Sequence, residues 1–108
     1  MTTFDDRERA YESKFAHDEE MKFRVIARRN KLLGHWAAGL MKLSPVEAEA
    51  YAKEVVRAEF EEAGDEDVIR KLLGDLTAAN VEIDEAAIRQ ALEDKQVEAR
   101  RQLMEAQG

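Results

Sequence analysis

Few residues in this 108-residue chain are of the types that carry out chemistry, and their spacing rules most of them out. Cysteine is absent, which removes thiol catalysis, thiolate metal sites and any disulfide framework at once. The only histidines are His17 and His35. In His17-Asp18-Glu19-Glu20, His17 and Glu20 fall one helical turn apart and could touch one metal ion. A protein metal site takes more ligands than two, and nothing nearby in sequence completes this one. The segment reads as a solvated acidic turn. No Glu-x-x-His pair occurs, so the di-iron bundle signature is missing. Asp65-Glu66-Asp67 begins like a calcium loop, but Ile69 occupies the third ligand position, so the triplet reads as a helix cap. Ser13 and Ser44 have no base partner at suitable spacing, and no Gly-x-x-x-x-Gly-Lys phosphate loop is present. These residues predict no metal and no enzymatic activity.

What remains is recognition. Phe4, Tyr11 and Phe15, spaced seven and then four, share one face of a helix. Carried forward, that face meets Asp18, Glu19 and Lys22, and the stripe stops. It resumes at Ile26, Leu33, Trp36 and Leu40, flanked by Val25 and Leu32. A helix that buries one face in a core does not normally charge that face for two turns. The pattern reads as one potentially continuous helix serving two surfaces. Its second half docks on the protein's own core, with Trp36 inside, and its first half offers three aromatics to another molecule. Charge divides at the same point. Met1 to Glu20 carries seven acids against three bases, whereas Met21 to Leu43 carries six bases and no acid. Acid at the front and base at the back suit the helix dipole. A partner surface is the compatible, sharper reading. The bases Arg24, Arg28, Arg29 and Lys31 read as a solvated face opposite the Ile26–Leu33 stripe.

Four helices are needed to position these faces. The first ends near Lys42-Leu43, its last turns loosened by Gly34 and Gly39. Ser44-Pro45-Val46-Glu47 forms a capping box with proline at the first helical position. A second helix then spans 45–63, with Ala48, Tyr51, Ala52, Val55, Val56 and Phe60 inward and Gly64 as a left-handed cap. Asp65 is the expected N-cap of a third helix carrying Val68, Ile69, Leu72, Leu73 and Leu76 to about Asn80. Gly74 weakens that helix. Val81-Glu82-Ile83 alternates like an extended linker, and Asp84 caps the last helix, where Ile88, Ala91, Leu92, Ala99 and Leu103 face inward. Lys95 and Gln96 interrupt that last stripe. Short connections make successive helices antiparallel neighbours. The expectation is all-α: a small four-helix bundle over 20–108 with a protruding, partly disordered N-terminal segment over 1–19, flexible when free.

Composition agrees with this outline. Hydrophobic residues make up 44% and charged residues 38%, with one proline and five glycines, which favours helices in a single domain. A net charge of −7 argues against general nucleic-acid binding, although the basic segment 22–31 leaves a helical nucleic-acid-associated protein as the rival reading. No apolar run approaches membrane-spanning length, and the acidic start is unlike a signal or transit peptide, so no direct membrane contact is expected.

The residues of the first helix also resemble a known family. Phe4-Asp5-Asp6-Arg7-Glu8, Glu12, Lys14, Phe15-Ala16-His17-Asp18-Glu19-Glu20, Phe23, Ala27-Arg28-Arg29-Asn30-Lys31-Leu32, Gly34 and Trp36-Ala37-Ala38 look like the zeta subunit of the alpha-proteobacterial F-type ATP synthase. The likeness runs over essentially the whole chain, with its specificity in Phe4 to Ala38. Tyr11 stands where the family more often has Phe, and His35 occupies a variable site. The resemblance implies a four-helix inhibitor of ATP hydrolysis, a monomer when free, cytoplasmic and held near the inner membrane through the synthase. It implies insertion of the N-terminal helix at an alpha/beta interface of the catalytic head, reaching toward the gamma shaft. Phe4, Asp5, Asp6, Arg7, Glu8, Tyr11, Lys14 and Phe15 are then the partner-binding residues. Weak adenine nucleotide binding, with phosphates drawn to Arg24, Arg28, Arg29 and Lys31, is implied at most, and no other cofactor.

Overall fold

The helix-rich composition is realised as four α-helices: α1 (Thr2–Leu40), α2 (Pro45–Glu61), α3 (Asp65–Ala78) and α4 (Glu85–Gln107). They come from a computed structural model that describes the backbone over 2–61 and 64–107 and side chains over 20–59 and 64–105. Among the described residues there is no strand, so the all-α four-helix expectation holds.

The ends of the helices follow from local chemistry. The Leu43 amide donates to the Ala38 carbonyl at 3.0 Å and the Lys42 amide to the Gly39 carbonyl at 3.2 Å, around Lys42 at φ 59. That is a Schellman closure with lysine at the left-handed position usually given to glycine. The same motif ends α3, where Val81 N reaches Leu76 O at 2.9 Å past Asn80 at φ 63. Leu43 and Val81, the residues just beyond each left-handed turn, pack on the core. The capping box at the start of α2 is present in both directions, with Ser44 N to Glu47 Oε1 at 3.0 Å and Glu47 N to Ser44 Oγ at 3.2 Å. These bonds hold the Glu47 carboxyl below the usual carboxylate range. Asp84 caps α4 through Ala87 N at 2.9 Å.

Three local expectations need correction. Asp65 is the first helical residue of α3 rather than its N-cap. The cap is Gly64, which has no side chain to offer the helix amides, while the Asp65 carboxylate accepts from Arg29. Gly64 itself, at φ 123 and ψ 155, is not in the left-handed helical region but in an extended region at positive φ that essentially only glycine enters. Gly34 and Gly39 do not loosen α1, which stays helical to Leu40. Gly34 is buried at the crossing with α2, where an added Cβ would stand 2.7 Å from the Ala52 Cα. Its missing side chain lets two backbones approach.

Each helix contributes to one core. Leu33, Ala37 and Ala38 come from α1, Tyr51 and Val55 from α2, Val68, Ile69, Leu72 and Leu76 from α3, and Ile88, Ala91 and Leu92 from α4. Trp36 is partly buried against this cluster, as its sequence neighbours suggested. Among the described residues α1 packs on α2, α4 and α3, while α2 and α4 lie across the bundle from each other. Cross-bridges give the directions. Asn30 reaches Glu59 and His35 reaches Glu49, so α1 and α2 are antiparallel. Tyr51 donates to Asp75 at 2.7 Å and Lys71 reaches Glu54, so α2 and α3 are antiparallel too. Burial and then the Asp75 carboxylate push the Tyr51 hydroxyl well above its ordinary value. Gly74 leaves α3 unbroken, exposed with open space beside it.

Candidate functional site

The residues expected to hold a partner are Phe4, Asp5, Asp6, Arg7, Glu8, Tyr11, Lys14 and Phe15. All fall on α1, and their side chains lie outside the described residues, as does His17. The expected division at residue 19 falls in the same stretch. Side-chain description begins at Glu20, and the first buried side chain after it is Val25.

The second candidate group is basic, and the structure splits it. Arg24, Arg28 and Lys31 are exposed on the outer side of α1. With Ala27, Val56 and Leu103 they line a shallow open depression of about 490 Å³ whose floor is mainly apolar. Each cation already has a neighbour. Arg24 pairs with Glu20 at 2.8 Å, Arg28 donates to Gln102 at 3.1 Å, and Lys31 lies 3.7 Å from Glu49. His35 stands 3.2 Å from the same Glu49.

Arg29 belongs to neither the depression nor the solvated face on which the sequence had placed it. It is 1% exposed. Its Nε donates to Asn30 Oδ1 at 3.0 Å, its Nη1 to Gln96 Oε1 at 3.1 Å and its Nη2 to Asp65 Oδ1 at 2.9 Å. Glu59 Oε2 lies 3.5 Å from the same Nη2 and 3.5 Å from the Asn30 amide nitrogen. Successive helical residues point about 100° apart, so Arg28 and Arg29 cannot share a face. Arg29 takes the inward direction and connects α1 to α2, α3 and α4 in one cluster. It is therefore removed from the candidate phosphate-binding set, which keeps Arg24, Arg28 and Lys31.

Sequence reasoning missed this cluster, although two signals pointed to it. Gln96 broke the apolar stripe of α4, and the polar Asn30 stood beside Arg29 within the resumed apolar stretch of α1. Both are explained as partners of the buried guanidinium. Every buried side-chain nitrogen or oxygen among the described residues has a hydrogen-bond partner. The described residues hold no group of three or more metal-ligating side chains and no helix long and apolar enough to cross a membrane.

Comparison with known proteins decides what kind of molecule this is. The family described as ATPase inhibitor subunit zeta matches residues 1–102. The chain belongs to that family. Its matched region takes in the whole of α1, α2 and α3 and most of α4. A protein solved by solution NMR is similar to this zeta-family chain at 50% identity and a TM-score of 0.71, covering 80% of this chain and 98% of its own. No curated protein matches the chain. The family is one of regulatory inhibitor subunits, and membership supports an inhibitory role on ATP synthase.

Proposed function

We propose that this chain blocks ATP hydrolysis by inserting the N-terminal part of α1 at a catalytic alpha/beta interface of the F-type ATP synthase head, toward the gamma subunit. The family match over residues 1–102 carries this reading, because it includes the aromatic stripe at Phe4, Tyr11 and Phe15. α1 supplies a fitting shape. At 39 residues it is roughly 58 Å long, more than twice the length of α2. An amphipathic helix in a groove is held by apolar anchors one or two turns apart. The seven-then-four spacing of the three aromatics supplies such anchors, with Asp5, Asp6, Arg7, Glu8 and Lys14 around them. The bundle over 20–108 acts as the handle. The protein works as a monomer in the cytoplasm and meets the membrane only through the enzyme.

The test is inhibition of the isolated ATPase head, read together with co-purification. Removing residues 1–15 is expected to abolish inhibition while leaving the melting temperature nearly unchanged. Replacing Phe4, Tyr11 and Phe15 together with alanine is expected to weaken inhibition by about a hundredfold or more, at roughly 1–3 kcal/mol per aromatic anchor. Full inhibition by the truncated chain would place the active element elsewhere, with the exposed bases Arg24, Arg28 and Lys31 as the next segment to examine.

A further inference from the structure

The cluster around Arg29 holds more negative charge than it can neutralise. Arg29 brings one positive charge, and two carboxylates converge on a single nitrogen of it: Asp65 Oδ1 at 2.9 Å and Glu59 Oε2 at 3.5 Å, both on Nη2. The Arg29 side chain is 2% exposed and that of Glu59 10%, while Asp65 keeps 47% of its surface in solvent. Water can therefore stabilise the charge on Asp65 but does little for Glu59. Among the described residues, the groups facing Glu59 are Arg29 and Asn30 from α1 and Asp65 from α3. The Gln96 contributed by α4 is neutral and accepts from the other terminal nitrogen, Nη1. Two carboxylates so placed cannot both ionise without cost, and a shared proton removes the repulsion.

We propose that Glu59 and Asp65 share a proton over the Arg29 guanidinium, which makes the seam joining α1 to the α2–α3 corner a pH-responsive latch, tighter in mild acid than at neutrality. On acidification the proton enters at Glu59, whose hydroxyl then donates to the Asp65 carboxylate. Asp65 stays ionised against Arg29, and the cluster becomes neutral overall. The direction of the effect follows from the environment of Glu59. Burial, foremost, and the Asp65 charge push its carboxyl above the ordinary value of 4.5, with Arg29 and Asn30 opposing. A carboxyl raised on folding contributes stability that is fully present below its unfolded value and is lost as pH rises through the folded one. The window therefore runs from the ordinary glutamate value upward to the raised value of the folded state. The latch involves only the bundle and stands whatever the amino-terminal part of α1 binds.

Carboxyl-carbon NMR of the full chain and of two variants tests this, alongside thermal melts across the same pH range. In the wild type the Glu59 carboxyl is expected to titrate above the ordinary glutamate value, and in Asp65→Asn its titration is expected to move down, since Arg29 then has a single anion. Glu59→Gln keeps the shape and supplies a permanent donor. It is expected to melt no lower than the wild type at neutral pH, and the wild-type advantage in mild acid is expected to vanish from the difference between the two profiles. Glu59 titrating at or below the ordinary value overturns the proposal. So does a Glu59→Gln profile that runs parallel to the wild type at lower stability, which is the behaviour of a simple ion pair.

Discussion

Two points on α1, less than two turns apart, hold the same helix to the same bundle by opposite means. At Gly34 the means is absence. No side chain stands between α1 and α2, and Leu33, Ala37 and Ala38 around it are fully buried. At Arg29 the means is charge, with one guanidinium bound by groups from all three other helices. Apolar contact of the first kind is non-directional and contributes most of the stability of a small bundle. A buried ionic cluster of the second kind contributes little net stability, since desolvation offsets much of the attraction, but it accepts only one arrangement of its partners. The difference teaches a division of labour. The bundle is made stable where α1 is deepest, and it is made specific about a turn and a half closer to the amino terminus of that helix.

The comparison is broken most severely at the apolar point. Leu33→Asp puts a carboxylate where the native side chain has no exposure. A loss above about 4 kcal/mol is expected, comparable with the whole stability of many small domains. Circular dichroism should show the helical signal melting near or below ambient temperature, and a wild-type melt would refute the core assignment. The polar point should respond differently to one change than to two. Arg29→Met strands Glu59 and leaves Gln96 without its donor, for an expected loss of about 3–5 kcal/mol. Adding Glu59→Met to that variant is expected to restore most of the loss, because an apolar pair can replace a buried ionic one. If the double variant is as unstable as the single, the cluster supplies stability and not only specificity. The smallest effect belongs to a site outside both regions. Ser44→Ala removes one half of the capping box and should lower the melting temperature by a few degrees.

Legibility in the sequence followed the range of the interactions. Ser44 and Glu47 are three residues apart, so their reciprocal bonds could be read before any fold was known. Asp84 as a cap and the four-helix outline were legible for the same reason, since periodicity and capping are local. The Arg29 cluster depends on Glu59 and Asp65, which lie 30 and 36 residues away on other helices, and no local pattern joins them. Asp65 shows the consequence most plainly. Its type and position were those of an N-cap, but a buried guanidinium is a stronger claim on a carboxylate than the amides of a helix start. Gly34 was misread because glycine lowers helix propensity in isolation, while here its cost is offset by close approach to Ala52. At the candidate partner site, residue identity and spacing were the whole of the signal.

The close approach at Gly34 also has a mechanical meaning. A rod pinned at one point swings about it, and its free end wanders without disturbing what holds it. α1 is held at a second point, five residues and roughly 7.5 Å along the axis, by the Arg29 guanidinium. A torque on the amino-terminal stretch therefore cannot be dissipated by swinging about Gly34. Part of it is delivered as shear to Glu59 and Asp65 through the Arg29 guanidinium. A load on this helix is therefore shared between the Gly34 crossing and the carboxylates of α2 and α3.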